Sequence, residues 1–335
     1  MQAVIIAGGL GTRMRPLTFT RPKPLIPLLN REMILHVLDR LPREIDEVIL
    51  PVNYMIDRMR QFFMENDVGR RVQIVEEKTP LGTGGALKNV ESLLGTRFLV
   101  FNGDVISSIN VEELVKRHEE KGGIATLAVW EVEDPSAFGA LDIREGGRIA
   151  RFVEKPREGE APSKQINAGV YVFERDVLRF IPGGKQVSME REVFPKLIRR
   201  GLYGCRFEGY WADAGTLKSY IRAMKILLIS RGSEMNLSVQ IKEGAKLDKP
   251  VNIGSGCTVD GSIGPNVSLG SDCKIHHATI ADSALFDGVT VLNDAVIRNS
   301  IIGSGCRIGP RASLTGCIIE DGVSIKADHV MTKGG

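Results

Sequence analysis

No apolar stretch in this 335-residue sequence approaches the roughly 20 residues that a membrane-spanning helix requires. The N-terminus also lacks the basic segment of a secretory signal. Its apolar run, Ala3 to Ala7, is short and reads as a first strand. Cysteine is scarce: five residues, an odd number with no C-x-x-C pair, argue against a disulfide scaffold and for a reducing compartment. A cytoplasmic protein with no membrane partner is therefore expected. Charge of one sign is missing too. Lys plus Arg number 44 against 41 for Asp plus Glu, a net +3 that is too even for nucleic acid to be the main partner. No Ser–His–Asp or Cys–His set for covalent catalysis stands out.

What is present divides by pattern. The length favours two domains. Through the first, residues 1–232, β-branched runs alternate with segments of helical spacing. "AVIIA" (3–7), "DEVILPV" (46–52), "RVQIV" (71–75), "RFLVFNGD" (97–104) and "ATLAVWEV" (125–132) read as strands. "REMILHVLDRL" (31–41), "IDRMRQFFMEN" (56–66), "GGALKNVESLL" (84–94) and "NVEELVKRHEEKG" (110–122) read as helices between them. This alternation predicts an α/β fold with a doubly wound, mostly parallel, Rossmann-like sheet and ligands at the strand C-termini. Further strands follow from Gly139 to Gly215, with a helix expected over 188–201 and another near 216–231.

The second domain, residues 233–335, carries an internal repeat. Ile253, Ile263, Leu269, Ile275, Val291, Ile297, Ile302, Ile308, Leu314, Ile319 and Ile325 recur largely at hexapeptide spacing, often followed by Gly. An inward aliphatic residue on each short strand, with a glycine at the corner, is the signature of a parallel β-helix. Cys257, Cys273, Cys306 and Cys317 fall on or near the second inward position and are expected in the core. Hexapeptide coils of this kind are left-handed in known families, and the tail is expected to serve homo-oligomerisation.

"AGGLGTRMRPLT" (7–18) follows the first strand directly. Its glycines let backbone N–H groups approach an anion, and Arg13 adds charge. It is neither a Rossmann fingerprint, since Met14 occupies the last glycine position, nor a Walker A loop, which needs Gly-Lys-Ser/Thr. Lys23 sits between two prolines, on stiff backbone suited to a fixed cation.

G-G-x-G-T-R-x-x-P-L-T followed by P-K-P resembles the signature of the sugar-1-phosphate nucleotidyltransferases. "PLGTGGAL" (80–87), "FNGDV" (101–105), "FVEKP" (152–156), "NAGVYVF" (167–173) and "YWADAGT" (210–216) come in that family's order. "VEDPSAFGAL" (132–141) and "SMEREVFPKL" (188–197) look most like its mannose-1-phosphate guanylyltransferase branch. The resemblance implies in-line attack of a sugar-1-phosphate on the α-phosphorus of a nucleoside triphosphate, releasing pyrophosphate. A phosphate monoester has a second pKa of about 6, so no general base is needed. Cations and positioning carry such a reaction.

Residue by residue, the resemblance places Ala7, Gly8, Gly9, Gly11, Thr12, Arg13, Gly82 and Thr83 on the nucleotide. Arg13 resembles the arginine that holds the leaving phosphates, and Lys23 the lysine that bridges the α-phosphate and the sugar phosphate. Asp104 and Asp213 resemble the pair that holds Mg²⁺, a hard ion suited to carboxylate and phosphate oxygens. Lys155 resembles a second lysine on the sugar phosphate, and Glu154, Asn167 and the Gly139 backbone would hydrogen-bond sugar hydroxyls. Relatives that use uracil or thymine commonly have Gln where this chain has Glu77. A carboxylate can accept both donors of guanine, N1–H and the N2 amino group, so Glu77 favours GTP. Other readings are a glucose-1-phosphate thymidylyl- or uridylyltransferase, a regulatory subunit that binds nucleotide sugars, and a hexapeptide acyltransferase using His276 or His277.

Overall fold

The computed structural model of the protein describes residues 1–332. They pack as two compact units: Met1–Leu10 with Ile34–Trp211, and Gly11–Met33 with the chain from Ala212 onward.

In the first unit, strands β1 (Gln2–Ile6), β2 (Glu47–Val52), β3 (Arg71–Glu76), β4 (Arg97–Asn102), β5 (Val105–Ser107) and β6 (Ala125–Glu131) alternate with helices α2 (Ile56–Glu65), α3 (Gly82–Asn89) and α4 (Val111–Lys121). A short helix, α1 (Met33–Leu38), precedes β2. Four more strands follow: β7 (Gly139–Ile143), β8 (Ile149–Glu154), β9 (Gln165–Glu174) and β10 (Leu202–Arg206). The main sheet runs β10-β6-β9-β4-β1-β2-β3, with β7 and β8 as a hairpin against β9. β1 lies parallel between β2 and β4, and β2 is parallel to β3. Only β9 runs against its neighbours β4 and β6 in this order.

The sheet follows from local chemistry. Val4, Ile49, Phe98, Val100, Leu127, Tyr171 and Phe173 are all buried in one core. The Tyr171 and Phe173 rings stack at 5.2 Å and both meet Phe194. Such pairs contribute about 0.5–1.5 kcal/mol each beyond area burial. Helix α4 shows how the sequence sets its ends. The Asn110 side chain accepts from the Glu113 N–H at 2.9 Å, and Gly122, left-handed at φ 60°, closes the last turn.

Segment 188–201 departs from the expected single helix. It begins as a π turn (Met189–Val193), continues as α5 (Phe194–Leu197) and ends as a 3₁₀ turn (Ile198–Arg200). Pro195 has no N–H to give, and its ring crowds the carbonyl one turn back, so a regular α register cannot run through it. The helix expected over 84–94 likewise ends at Asn89 and gives way to a 3₁₀ turn at Glu91–Leu93.

The unit boundary falls after Trp211 within β11 (Trp211–Asp213), and the second unit continues into α6 (Leu217–Arg231), where Thr216 and Ser219 form a reciprocal capping box. Short parallel strands then run from Glu234 to Thr332. Their ladders make three faces, with Thr258–Ile263 and Lys274–Ala281 long enough to turn a corner between two of them. The aliphatic positions named above line a shared core with Cys257, Cys273, Cys306 and Cys317, and all five cysteines of the chain are buried and outside any disulfide. Among the described residues, no helix is long and apolar enough to cross a membrane.

Candidate active site

Within the first unit, the C-terminal ends of β1 and β4 carry the first group of candidate residues. The Gly103 N–H donates to the Ile6 carbonyl at 3.1 Å. This seats the turn that carries Asp104 beside the end of β1, where Ala7, Gly8 and Gly9 begin the glycine loop. Glu77 follows β3 directly and is buried, at 4% exposure. A Cβ on Gly8 would meet both Glu77 carboxylate oxygens, at 3.1 and 3.2 Å. Glu77 Oε2 accepts a long hydrogen bond from the Leu81 N–H (3.4 Å), while Oε1 is buried with no hydrogen-bond partner. Burial pushes the Glu77 carboxyl above its ordinary value, and the Leu81 bond only partly opposes this.

Gly82 and Thr83 open α3. The Thr83 hydroxyl donates to Glu190 Oε2 at 2.8 Å and accepts the Met189 N–H at 2.9 Å. Ser188 Oγ also donates to Glu190 Oε2, at 2.8 Å. Glu190 thereby stands near Glu154, and burial followed by the Glu190 charge pushes the Glu154 carboxyl up. Gly139 completes this wall, since a Cβ there would lie 3.1 Å from Glu154 Oε2. Asn167 Nδ2 donates to the Tyr171 hydroxyl at 2.9 Å, and the Asn102 side chain bonds the same hydroxyl, leaving Asn102 Oδ1 buried and unpartnered. Lys155 is exposed and left-handed at φ 49°. A non-glycine residue in that region is strained, and such residues cluster at ligand sites.

Within the second unit, Arg13, Lys23 and Asp213 converge. A Cβ on Gly215 would lie 2.7 Å from Asp213 Oδ1, 2.9 Å from Arg13 Nη2 and 3.1 Å from Lys23 Nζ. Three charged atoms therefore surround one point from which only glycine stays clear. The loop is locked locally. Gly11 is left-handed at φ 61°, and a Cβ there would strike Thr18 Cγ2 at 2.7 Å and Lys23 Cβ at 3.2 Å. Thr18 Oγ1 donates to the Gly11 carbonyl at 3.0 Å. Thr12 and Arg13 then turn as a 3₁₀ segment through Met14. Asp213 Oδ1 is itself oriented by the Gly215 N–H and by Ser219 Oγ (3.3 Å) at the start of α6.

The expected residues thus form three groups: Glu77 with Gly8, Glu154 with Gly139 and Asn167, and Arg13 with Lys23 and Asp213. Sequence reading did not single out Glu190, Tyr171 or Asn102. A signal was available for Glu190 in "SMEREVFPKL", where an acidic residue precedes a helix-breaking proline. Asp104 belongs to the first unit and Asp213 to the second, and each offers hard carboxylate oxygens of the kind that suit a divalent ion. Among the described residues, no group of three or more His, Cys, Asp or Glu side chains forms a self-sufficient cage.

Comparison with known proteins agrees with this chemistry. The family model described as nucleotidyl transferase matches residues 2–229, and the GMPPB C-terminal domain model matches residues 259–334. Mannose-1-phosphate guanylyltransferase of Mycobacterium tuberculosis is 38% identical, over 99% of this chain and 83% of that protein. Mannose-1-phosphate guanylyltransferase 1 of Arabidopsis thaliana is 33% identical, over 100% of this chain and 95% of its own. The solved structure of HddC from Yersinia pseudotuberculosis complexed with GMP-PN covers 68% of this chain and 99% of its own, at 25% identity and a TM-score of 0.58. A family model spanning most of the chain, and relatives aligned almost end to end, leave one conclusion: the chain is an enzyme of the nucleotidyl transferase family, related to the mannose-1-phosphate guanylyltransferases.

Proposed function

We propose that the enzyme transfers GMP from GTP to mannose-1-phosphate, giving GDP-mannose and pyrophosphate. The observation that carries the base choice is the buried, unpartnered Oε1 of Glu77. A buried carboxylate oxygen without a donor is costly unless a ligand supplies one. Guanine supplies two adjacent donors, whereas uracil and thymine present an alternating edge that leaves one carboxylate oxygen facing an acceptor. The names of the full-length relatives support the sugar.

Arg13 holds the departing β- and γ-phosphates, and Lys23 neutralises the α-phosphate and the incoming sugar phosphate. Their convergence at Gly215 supports these roles. Asp104 and Asp213 hold the family's divalent ion, which we assign as Mg²⁺ because both donors are hard oxygens. When bound, that ion adds positive charge to the transferring group. Lys155 meets the sugar phosphate, and Glu154, Asn167 and the Gly139 backbone take sugar hydroxyls, with Glu190 beside them. The Ala7–Thr12 backbone cradles the triphosphate, joined by Gly82 and Thr83. The enzyme works as a cytoplasmic homo-oligomer assembled through its repeat domain.

The test is pyrophosphate release from GTP with mannose-1-phosphate, with and without chelator, for wild type, Asp104→Asn and Asp213→Asn. Metal-dependent release that either substitution abolishes supports the reading. Undiminished release from both variants, or none from wild type, refutes it.

A further inference from the structure

Lys23 belongs to the same compact unit as the repeat, and the segment that carries it is gripped at both ends by side chains of the coils. At one end, Thr20 Oγ1 donates to Asp321 Oδ2 at 2.7 Å, and Arg21 Nη2 donates to both Asp321 oxygens at 2.7 Å. Asp321 Oδ1 also accepts the Ser304 N–H at 2.8 Å, which ties this carboxylate to the neighbouring coil. The Arg21 guanidinium lies over the Phe286 ring, 5.2 Å from its centroid. At the other end, Asn30 Nδ2 donates to Asn252 Oδ1 and to the Leu269 carbonyl, both at 2.6 Å, and Asn30 Oδ1 accepts from Ser268 Oγ at 3.1 Å. Asn252 and Ser268 are buried, so this second grip is a built socket.

Between the grips the chain is stiff. Pro22 and Pro24 flank Lys23 and fix φ, and the Lys23–Leu25 turn is closed by hydrogen bonds from Leu25 N to Pro22 O (2.9 Å) and from Ile26 N to Lys23 O (3.1 Å). Displacement at Arg21 is therefore passed to Lys23 instead of being absorbed. Lys23 Nζ ends at the point it shares with Arg13 and Asp213.

We propose that the repeat domain supports catalysis directly as well as assembly: Asp321, acting through Arg21, is a positioning residue that holds Lys23 in register with Arg13 and Asp213. This rests on the reading of Lys23 as the cation between the two reacting phosphates. A fixed cation acts most in the transition state, so loosening it lowers kcat more than it raises KM. Misplacement of about 1 Å in such a group costs up to a hundredfold in rate.

The test is a double-mutant cycle of Asp321→Asn with Lys23→Ala, read as kcat and KM for nucleotidyl transfer, with Tm and oligomeric state measured in parallel. The expected result is a fall in kcat of about tenfold or more for Asp321→Asn, a smaller change in KM for GTP, and an unchanged oligomer. In the Lys23→Ala background, Asp321→Asn should cost less than about twofold, because the residue it positions is gone. If Asp321→Asn does not fold, Arg21→Lys carries the same expectation, since an ammonium cannot reproduce the planar guanidinium's contacts. Equal losses in both backgrounds, or normal kcat in Asp321→Asn while Lys23→Ala is crippled, would overturn the proposal alone. Near-normal activity in Lys23→Ala would overturn the reading of Lys23 itself, and the proposal with it.

Discussion

Glu77 faces Gly8 so closely that a methyl group on Gly8 would lie 3.1 and 3.2 Å from its two carboxylate oxygens. One strand-end loop thus brings the start of the glycine loop against a buried anion. That contact is unexpected for a loop built to receive phosphate, unless the anion serves another part of the ligand. The base is the part of a nucleotide that offers hydrogen-bond donors.

Glu77→Gln replaces one acceptor with a donor. The variant should lose about ten- to a hundredfold in kcat/KM for GTP, the equivalent of one hydrogen bond to a charged group. UTP and dTTP should lose less. Steady-state kinetics with each triphosphate check this, and equal losses for all three would discredit Glu77 as the base reader.

The same carboxylate sets a pH dependence. Burial raises its pKa above the ordinary 4.5. As pH falls through the raised value the group gains a proton, and an acceptor facing guanine becomes a donor. KM for GTP should therefore climb at a pH where exposed carboxylates are still ionised, and Glu77→Gln should flatten that limb. Parallel limbs in both proteins would assign it to another group.

Glu190 offers a way to separate the sugar from the nucleotide. Thr83 and Ser188 aim it toward Glu154, so Glu190→Gln keeps the shape and removes the charge. We expect KM for mannose-1-phosphate to rise about tenfold, while KM for GTP changes little. Isotherms or initial-rate surfaces for both substrates distinguish this from a general loss of folding.

Gly215→Ala should damage catalysis far more than folding. Its Cβ would fall within 3.1 Å of Asp213, Arg13 and Lys23. The Arg13 and Lys23 contacts are ends of flexible side chains, which can swing aside, so the fold should survive. The cations would then be splayed, and kcat should fall about a hundredfold with Tm nearly unchanged. A large fall in Tm would instead mark Gly215 as a folding constraint.

Much of this was legible because the signals are local. β-branched runs between helical periods announced the parallel sheet, and the hexapeptide spacing announced the coil and the burial of its cysteines. The glycine loop was readable because its glycines follow the first strand directly, with Arg13 behind them. Contacts made across the chain left no such mark. Asp321 looks like any corner residue of the repeat, and its partner Arg21 lies 300 residues away in sequence. Glu190 looks like a solvated charge on a helix until the π turn before Pro195 directs it to Thr83. The broken helix over 188–201 was missed because periodicity reports which face is apolar, not which hydrogen-bond register the backbone adopts.

The most direct test of the whole account is a competition in one vessel. Equal concentrations of GTP, ATP, CTP, UTP and dTTP are offered with mannose-1-phosphate and glucose-1-phosphate in Mg²⁺, and the nucleotide sugars formed are identified by mass and chromatographic retention. The account predicts GDP-mannose as the dominant product. A uridine- or thymidine-diphosphate sugar in its place would contradict it.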